Sequence, residues 1–110
     1  MPEYKIFSLT TISNGVTSSP IQKFITATKT DELLIIGDNL KFKLSFNKKT
    51  VQGMEVSMIY DAIDSNGQNC FVFFSNDPSK DDMLQYSIAI WYRELNNWYF
   101  YHSNPPTSIN

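Results

Sequence analysis

The sequence predicts an all-β domain of seven or eight antiparallel strands, and three observations predict it. Leu40, Phe42, Leu44 and Phe46 alternate with Lys41, Lys43, Ser45 and Asn47, and Leu84, Tyr86, Ile88, Ile90 and Tyr92 alternate with Gln85, Ser87, Ala89, Trp91 and Arg93. A period of two places every second side chain on one face of a strand. Turn-forming groups recur between such runs: Ser13-Asn14-Gly15, Gly37-Asp38-Asn39, Asp64-Ser65-Asn66-Gly67 and Asn96-Asn97. No stretch is convincingly helical, since the apolar run Leu33 to Ile36 that follows the cap-like Thr30-Asp31-Glu32 is only four residues long.

Taken in order, Tyr4 to Thr10 is a first strand, and Gly15 supplies the positive φ of the turn after it. Val16 to Ser19 is short and polar, and Pro20, which cannot donate to a ladder, starts or edges the next strand, Ile21 to Thr28. Leu33 to Ile36 reads as a buried strand and Leu40 to Phe46 as a half-buried one, after which Asn47-Lys48-Lys49-Thr50 is expected to turn the chain. The centre of the pattern is a long hairpin, Met54 to Ile63 and Cys70 to Phe74, joined through Asp64-Ser65-Asn66-Gly67. Its first strand has Met54, Val56, Met58, Tyr60 and Ala62 on the more apolar face. Ile59 and Ile63 fall on the other, so that face is partly covered or a bulge shifts the register. Cys70 to Phe74 is apolar on both faces and needs cover on both. Leu84 to Tyr92 and Trp98 to Tyr101 complete the sheet, giving a single domain over 1–102 and an extended or disordered tail, 103–110, that contains Pro105-Pro106.

Closing about eight strands into a barrel removes exposed edges and leaves an interior that side chains fill or that holds one small ligand, so a barrel is preferred to a β-sandwich. The domain is similar to small lipocalin-like barrels in strand count and order only, with no matching motif, and such a likeness carries little about function.

Composition narrows the function classes. Of 110 residues, 42% are hydrophobic and 18% charged, with a net charge of −2 from 9 basic and 11 acidic side chains spread along the chain. That distribution has no basic footprint for nucleic acid and no polybasic segment for a membrane surface. The opening Met-Pro-Glu-Tyr-Lys-Ile-Phe lacks the basic and apolar regions of a signal peptide, and no apolar run approaches the ~20 residues of a spanning helix. A cytoplasmic location is therefore expected, although a start trimmed of its leader would read the same way. Cys70 is the sole cysteine, so it forms no intramolecular disulfide and reads as a small buried hydrophobe.

Catalytic chemistry is hard to assemble. His102 is the only histidine and lies beside the tail, Cys70 and His102 are too few for a zinc site, and four scattered glycines make no phosphate loop. Asp61, Asp64 and Asn66 lack the spacing of a calcium loop and read as turn residues bonding their own backbone. Asp77, Asp81 and Asp82 read as a solvated loop. No catalytic residue, metal or cofactor is assigned.

What stands above background is aromatic content: sixteen of 110 residues are Phe, Trp or Tyr, and six crowd the last two strands. Alternation forbids all six from sharing one face, so some lie outside, where Tyr and Trp dominate the energetics of protein recognition. The expectation is a non-enzymatic domain, monomeric or homodimeric. It binds a protein partner of inhibitor, immunity or adaptor type through Trp91, Tyr92, Trp98, Tyr99 and Tyr101 or through an exposed edge. The alternative is a carrier of a small apolar ligand, held in the barrel interior by Phe42, Phe46, Tyr60, Phe74 and Tyr86.

Overall fold

The computed structural model describes residues 2–108 of the chain, Ser108 by its backbone alone. Its strands are β1 (Pro2–Ser13), β2 (Val16–Thr17), β3 (Ile21–Lys29), β4 (Leu33–Ile36), β5 (Leu40–Gln52), β6 (Glu55–Asp64), β7 (Asn69–Asn76), β8 (Tyr86–Tyr92), β9 (Asn97–Ser103) and β10 (Thr107–Ser108). Single 3-10 turns at Asp82–Leu84 and Arg93–Leu95 flank β8. The predicted all-β antiparallel barrel is what forms. β1 and β3 to β9 pair with their neighbours in chain order, and β1 then pairs with β9 to close an eight-stranded ring.

Strand β1 serves two neighbours at once. Glu3 to Leu9 pair with β3, and Ile6 to Ser13 pair with β9, with the register of both ladders shifting around Phe7. A bulge of this kind bends a strand and increases its twist, which a closing strand requires. The short strands extend the two ladders: β2 pairs with Ile12 and Ser13, and β10 with Pro2 and Glu3. The part of the expected tail that is described, up to Thr107–Ser108, is thus extended and pairs with the first strand, while 109–110 lie outside the described residues.

Local sequence explains the connections. Asn14 and Gly15 adopt φ of 50° and 81° between the paired residues Ser13 and Val16, the two positive values of a type I′ hairpin turn. One connection differs from expectation. Asn47-Lys48-Lys49-Thr50 does not turn the chain: β5 continues to Gln52, absorbs a register shift around Asn47, and reverses at Gly53 and Met54 between paired Gln52 and Glu55. Gly53, at φ 61°, is the left-handed residue this two-residue turn needs, whereas the polar run before it is only the solvated outside of an exposed edge. The shift also resolves the position of Ile59. It points outward opposite Lys48 yet is only 9% exposed, recessed at the floor of a groove in the outer surface.

The interior is filled. Ile6, Ala27, Leu34, Ile36, Leu44, Ala62, Val72, Ile88 and Ile90 form one cluster with Phe42, Tyr60, Cys70, Phe74 and Tyr101. Inward positions follow every second residue of each strand, as in Tyr60–Val72–Ile90–Tyr99 and Met58–Phe74–Ile88–Tyr101 across four strands. One barrel end, here termed the mouth, carries Leu40, Asp64, Tyr92 and Asn97. The other carries Lys29, Phe46 and Asn76.

Truncating the packed centre should be costly. Ile88→Ala, at a position with no exposure, is expected to lower unfolding free energy by about 2–5 kcal/mol in urea denaturation. Val51→Ala, at 60% exposure on the β5 edge, should change it by less than about 0.5 kcal/mol. Equal effects would contradict the described interior.

Candidate functional site

Barrel closure sorts the aromatic side chains of the last strands into two groups. Trp91 and Trp98 are a cross-strand pair that faces outward, in a row with Phe71. Tyr92, Tyr99 and Tyr101 occupy inward positions. The five residues expected to bind a partner are therefore not one surface, because Trp91 and Tyr92 are sequence neighbours and neighbours on a strand point to opposite faces.

The outward group forms a continuous wall across β7, β8 and β9. Trp91 and Trp98 stack with ring centroids 4.9 Å apart and planes within 9°, and Trp98 stacks on Phe100 at 5.3 Å and 6°. Phe71 abuts Trp91 at 5.6 Å, Phe73 abuts Trp98 at 5.5 Å, and the Arg93 guanidinium sits 5.6 Å from the Phe71 ring. Offset and tilted contacts of this kind contribute about 0.5–1.5 kcal/mol per pair beyond area burial. All five rings remain half-buried. Beside them runs a groove of about 400 Å³, floored by Ile59, Phe73, Ala89 and Phe100 and edged by Lys48, Thr50 and His102. A Ser57–Ser75 hydroxyl pair at 2.7 Å and a Lys80–Glu55 contact at 4.0 Å frame its polar end.

Among the described residues, three buried side-chain atoms have no hydrogen-bond partner: Trp91 Nε1 and His102 Nδ1 on this wall, and Asn76 Oδ1 at the far end of the barrel. Burial, with the nearby Lys80 charge, pushes the His102 imidazole below its ordinary pKa, so it stands neutral at neutral pH.

At the mouth the inward group makes a second concavity, of about 310 Å³. Phe42, Ile90 and Tyr101 are its buried floor, Tyr92 and Tyr99 its walls, and Leu40, Gln68, Leu95 and Asn97 its rim. Tyr92 and Tyr99 meet edge to face at 6.1 Å and 88°. Asp64 fixes one side: its Oδ2 accepts the Tyr92 hydroxyl at 2.8 Å, and its Oδ1 accepts the Asn66 and Gln68 N–H groups at 2.9 Å each. Burial acts to raise the Asp64 pKa, but those three hydrogen bonds outweigh it and hold the carboxyl below its ordinary value. Burial also pushes the adjacent Cys70 thiol up to about 11, with the Asp64 charge adding to the effect.

The residues expected to line an interior pocket divide between the barrel ends. Phe42 belongs to the mouth. Phe46, Tyr60 and Phe74 lie together toward the far end, with successive centroids 5.5 Å apart, and Tyr86 faces inward there opposite Asn76. Lys29 caps that cluster, its Nζ 4.7 Å from the Tyr60 ring and 5.1 Å from Phe74. Sequence reasoning assigned Ile90, Leu40 and Leu95 at the mouth and Phe71, Phe73 and Phe100 on the wall to no site, and read Asp64 as a turn residue bonding its own backbone, which it is, without its further bond to Tyr92. Alternation from Phe71 through Phe73 marks a shared face, but which face points out depends on how the barrel closes. No family model, curated protein or solved structure matches the chain.

Two outcomes test the mouth. Asp64 has a depressed folded-state pKa, so its contribution to stability is present above the unfolded value and is lost as pH falls through the folded one. Melting temperature should accordingly drop below about pH 4 in the native chain, and Asp64→Asn should flatten that drop. An identical acid profile for the variant would remove Asp64 as a stabilising group. Cys70, with 4% exposure, should resist a thiol reagent such as a dithiobis-nitrobenzoate at mildly alkaline pH and react fully once unfolded. Prompt reaction of the folded chain would contradict its placement.

Proposed function

We propose that this protein is a non-enzymatic recognition domain that binds a protein partner through the outward aromatic wall of β7, β8 and β9. The observation that carries the reading is the stack of Trp91, Trp98 and Phe100, half-exposed beside a groove with an apolar floor. An outward-facing surface of this kind has no role in filling the barrel. Large rings already held against one another lose little conformational entropy on binding, and a partner that covers them removes apolar surface from water. Few charges interrupt the wall, and such a core with a polar rim is the anatomy of a recognition patch. Lys48, Glu55 and Lys80 at the groove ends supply that rim.

The test is affinity capture from the native host with the intact chain and with Trp91→Ala. One stoichiometric partner is expected, weakened by about 2 kcal/mol or more in the variant, as for a hot-spot residue. The variant should still fold, since Trp91 faces outward and takes no part in filling the barrel interior. A partner retained equally by both proteins, or no partner at all, would refute the assignment.

The mouth favours a second reading, in which the barrel holds a small ligand at its open end. The interior proper is occupied by its own side chains, so the ligand would sit on the floor of Phe42, Ile90 and Tyr101 without penetrating between the strands.

A further inference from the structure

We infer that the mouth of the barrel is a binding site for an organic cation of the trimethylammonium type, received by the Tyr92 and Tyr99 rings over a floor of Phe42 and Tyr101, with the Asp64 carboxylate as its counter-ion. The inference rests on the second reading above, that the mouth takes a small ligand, and adds the charge and shape of that ligand.

Three features of the cavity select this class. First, Asp64 is the sole charged side chain in a lining otherwise made of aromatic, aliphatic and amide groups. Three donated hydrogen bonds favour its ionised form, so at neutral pH it presents a negative charge to whatever enters and opposes an anion. Second, Tyr92 and Tyr99 meet edge to face at right angles, and both line the cavity together with Phe42 and Tyr101. Ring faces carry negative electrostatic potential, and several rings around one space, with a nearby carboxylate, are the environment that attracts a quaternary ammonium. A primary ammonium is strongly hydrated, whereas the methyl groups of a trimethylammonium shed water readily and pack on the exposed rim residues Leu40 and Leu95. Third, the far end of the same barrel already performs the equivalent interaction internally, with Lys29 over Tyr60 and Phe74. No lysine or arginine lines the mouth, so no side chain of its lining neutralises Asp64 there. A volume of about 310 Å³ sits at the small end of ligand sites and suits one such headgroup.

The group has two sources, a free small molecule such as choline or a trimethylated lysine on another chain, and the experiment separates them. The full chain is titrated calorimetrically with choline, with its uncharged isostere in which tert-butyl replaces trimethylammonium, and with a lysine peptide in trimethylated and unmodified forms. Saturable binding of choline or of the trimethylated peptide, with the isostere and the unmodified peptide at least about tenfold weaker, is the expected result. Preference for choline assigns a free ligand, and preference for the peptide assigns a modified chain. Tyr99→Leu should weaken the complex roughly two- to thirty-fold, the range of one cation–ring contact. In the native chain, affinity should fall as pH is lowered through the Asp64 titration. Equal binding of choline and its isostere would leave the mouth a ligand site but overturn its preference for a cation. Binding of neither cation nor isostere would overturn both readings, and unchanged affinity in Tyr99→Leu would overturn the placement at the mouth.

Discussion

The pairing of β1 with β9 is the contact on which every other feature rests. Seven residue pairs from Ile6–Ser103 to Ser13–Asn97 close the sheet, and they can do so only because β1 bends around Phe7 and offers its two edges to different partners. Closure gives each strand an inside and an outside. Without it, the alternation of Ile88, Ile90 and Tyr92 against Ala89 and Trp91 would define two faces with no reason for one to be dry. With it, the inward set meets the inward sets of seven other strands and fills the barrel, while the outward set is left to whatever the surface can stabilise.

That division accounts for both concavities. Inside, small and large residues are matched across the ring: Ala27, Ala62 and Cys70 lie among Phe42, Tyr60, Phe74 and Tyr101 in one buried apolar cluster. At the mouth a cavity opens beside Tyr92 and Tyr99, where the Tyr92 hydroxyl bonds Asp64 while the rings stay apolar. Outside, the rings of Phe71, Trp91, Trp98 and Phe100 shield one another, which limits the apolar surface exposed to water without removing it. Ile59 and Ala89 are buried although they point outward, so the groove beside the rings is a recess in the barrel wall and not a flat sheet.

The two ends of the barrel also differ in charge. Lys29 seals the aromatic cluster of Tyr60 and Phe74 from one side, and Asp64 organises the turn and the tyrosine walls on the other. The Asp64 carboxylate satisfies two backbone donors of its own turn and still orients Tyr92, so a single residue couples local turn geometry to the shape of the mouth.

The order of residues determined the strands themselves, because pleat and turn chemistry are local. Val72, Ile88 and Ile90 could be assigned to strands from alternation and β-branching, and Ser13-Asn14-Gly15 to a turn from the positive φ that Gly15 takes at no steric cost. The same local signals misplaced the end of β5, since Asn47 to Thr50 is polar both in a turn and on an unpaired edge, and only the pairing of Lys48 with Ile59 and Thr50 with Ser57 distinguishes the two. They put Tyr92 on the apolar side with Ile88 and Ile90 and Trp91 on the other, yet did not separate the two residues into different sites. That separation follows from the direction in which the ring closes, and so from contacts between residues as distant in sequence as Leu9 and Tyr101. Side-chain alternation is written in the chain. The sign of the alternation, and with it the separation of an outer wall from an inner mouth, exists only once the first and penultimate strands have met.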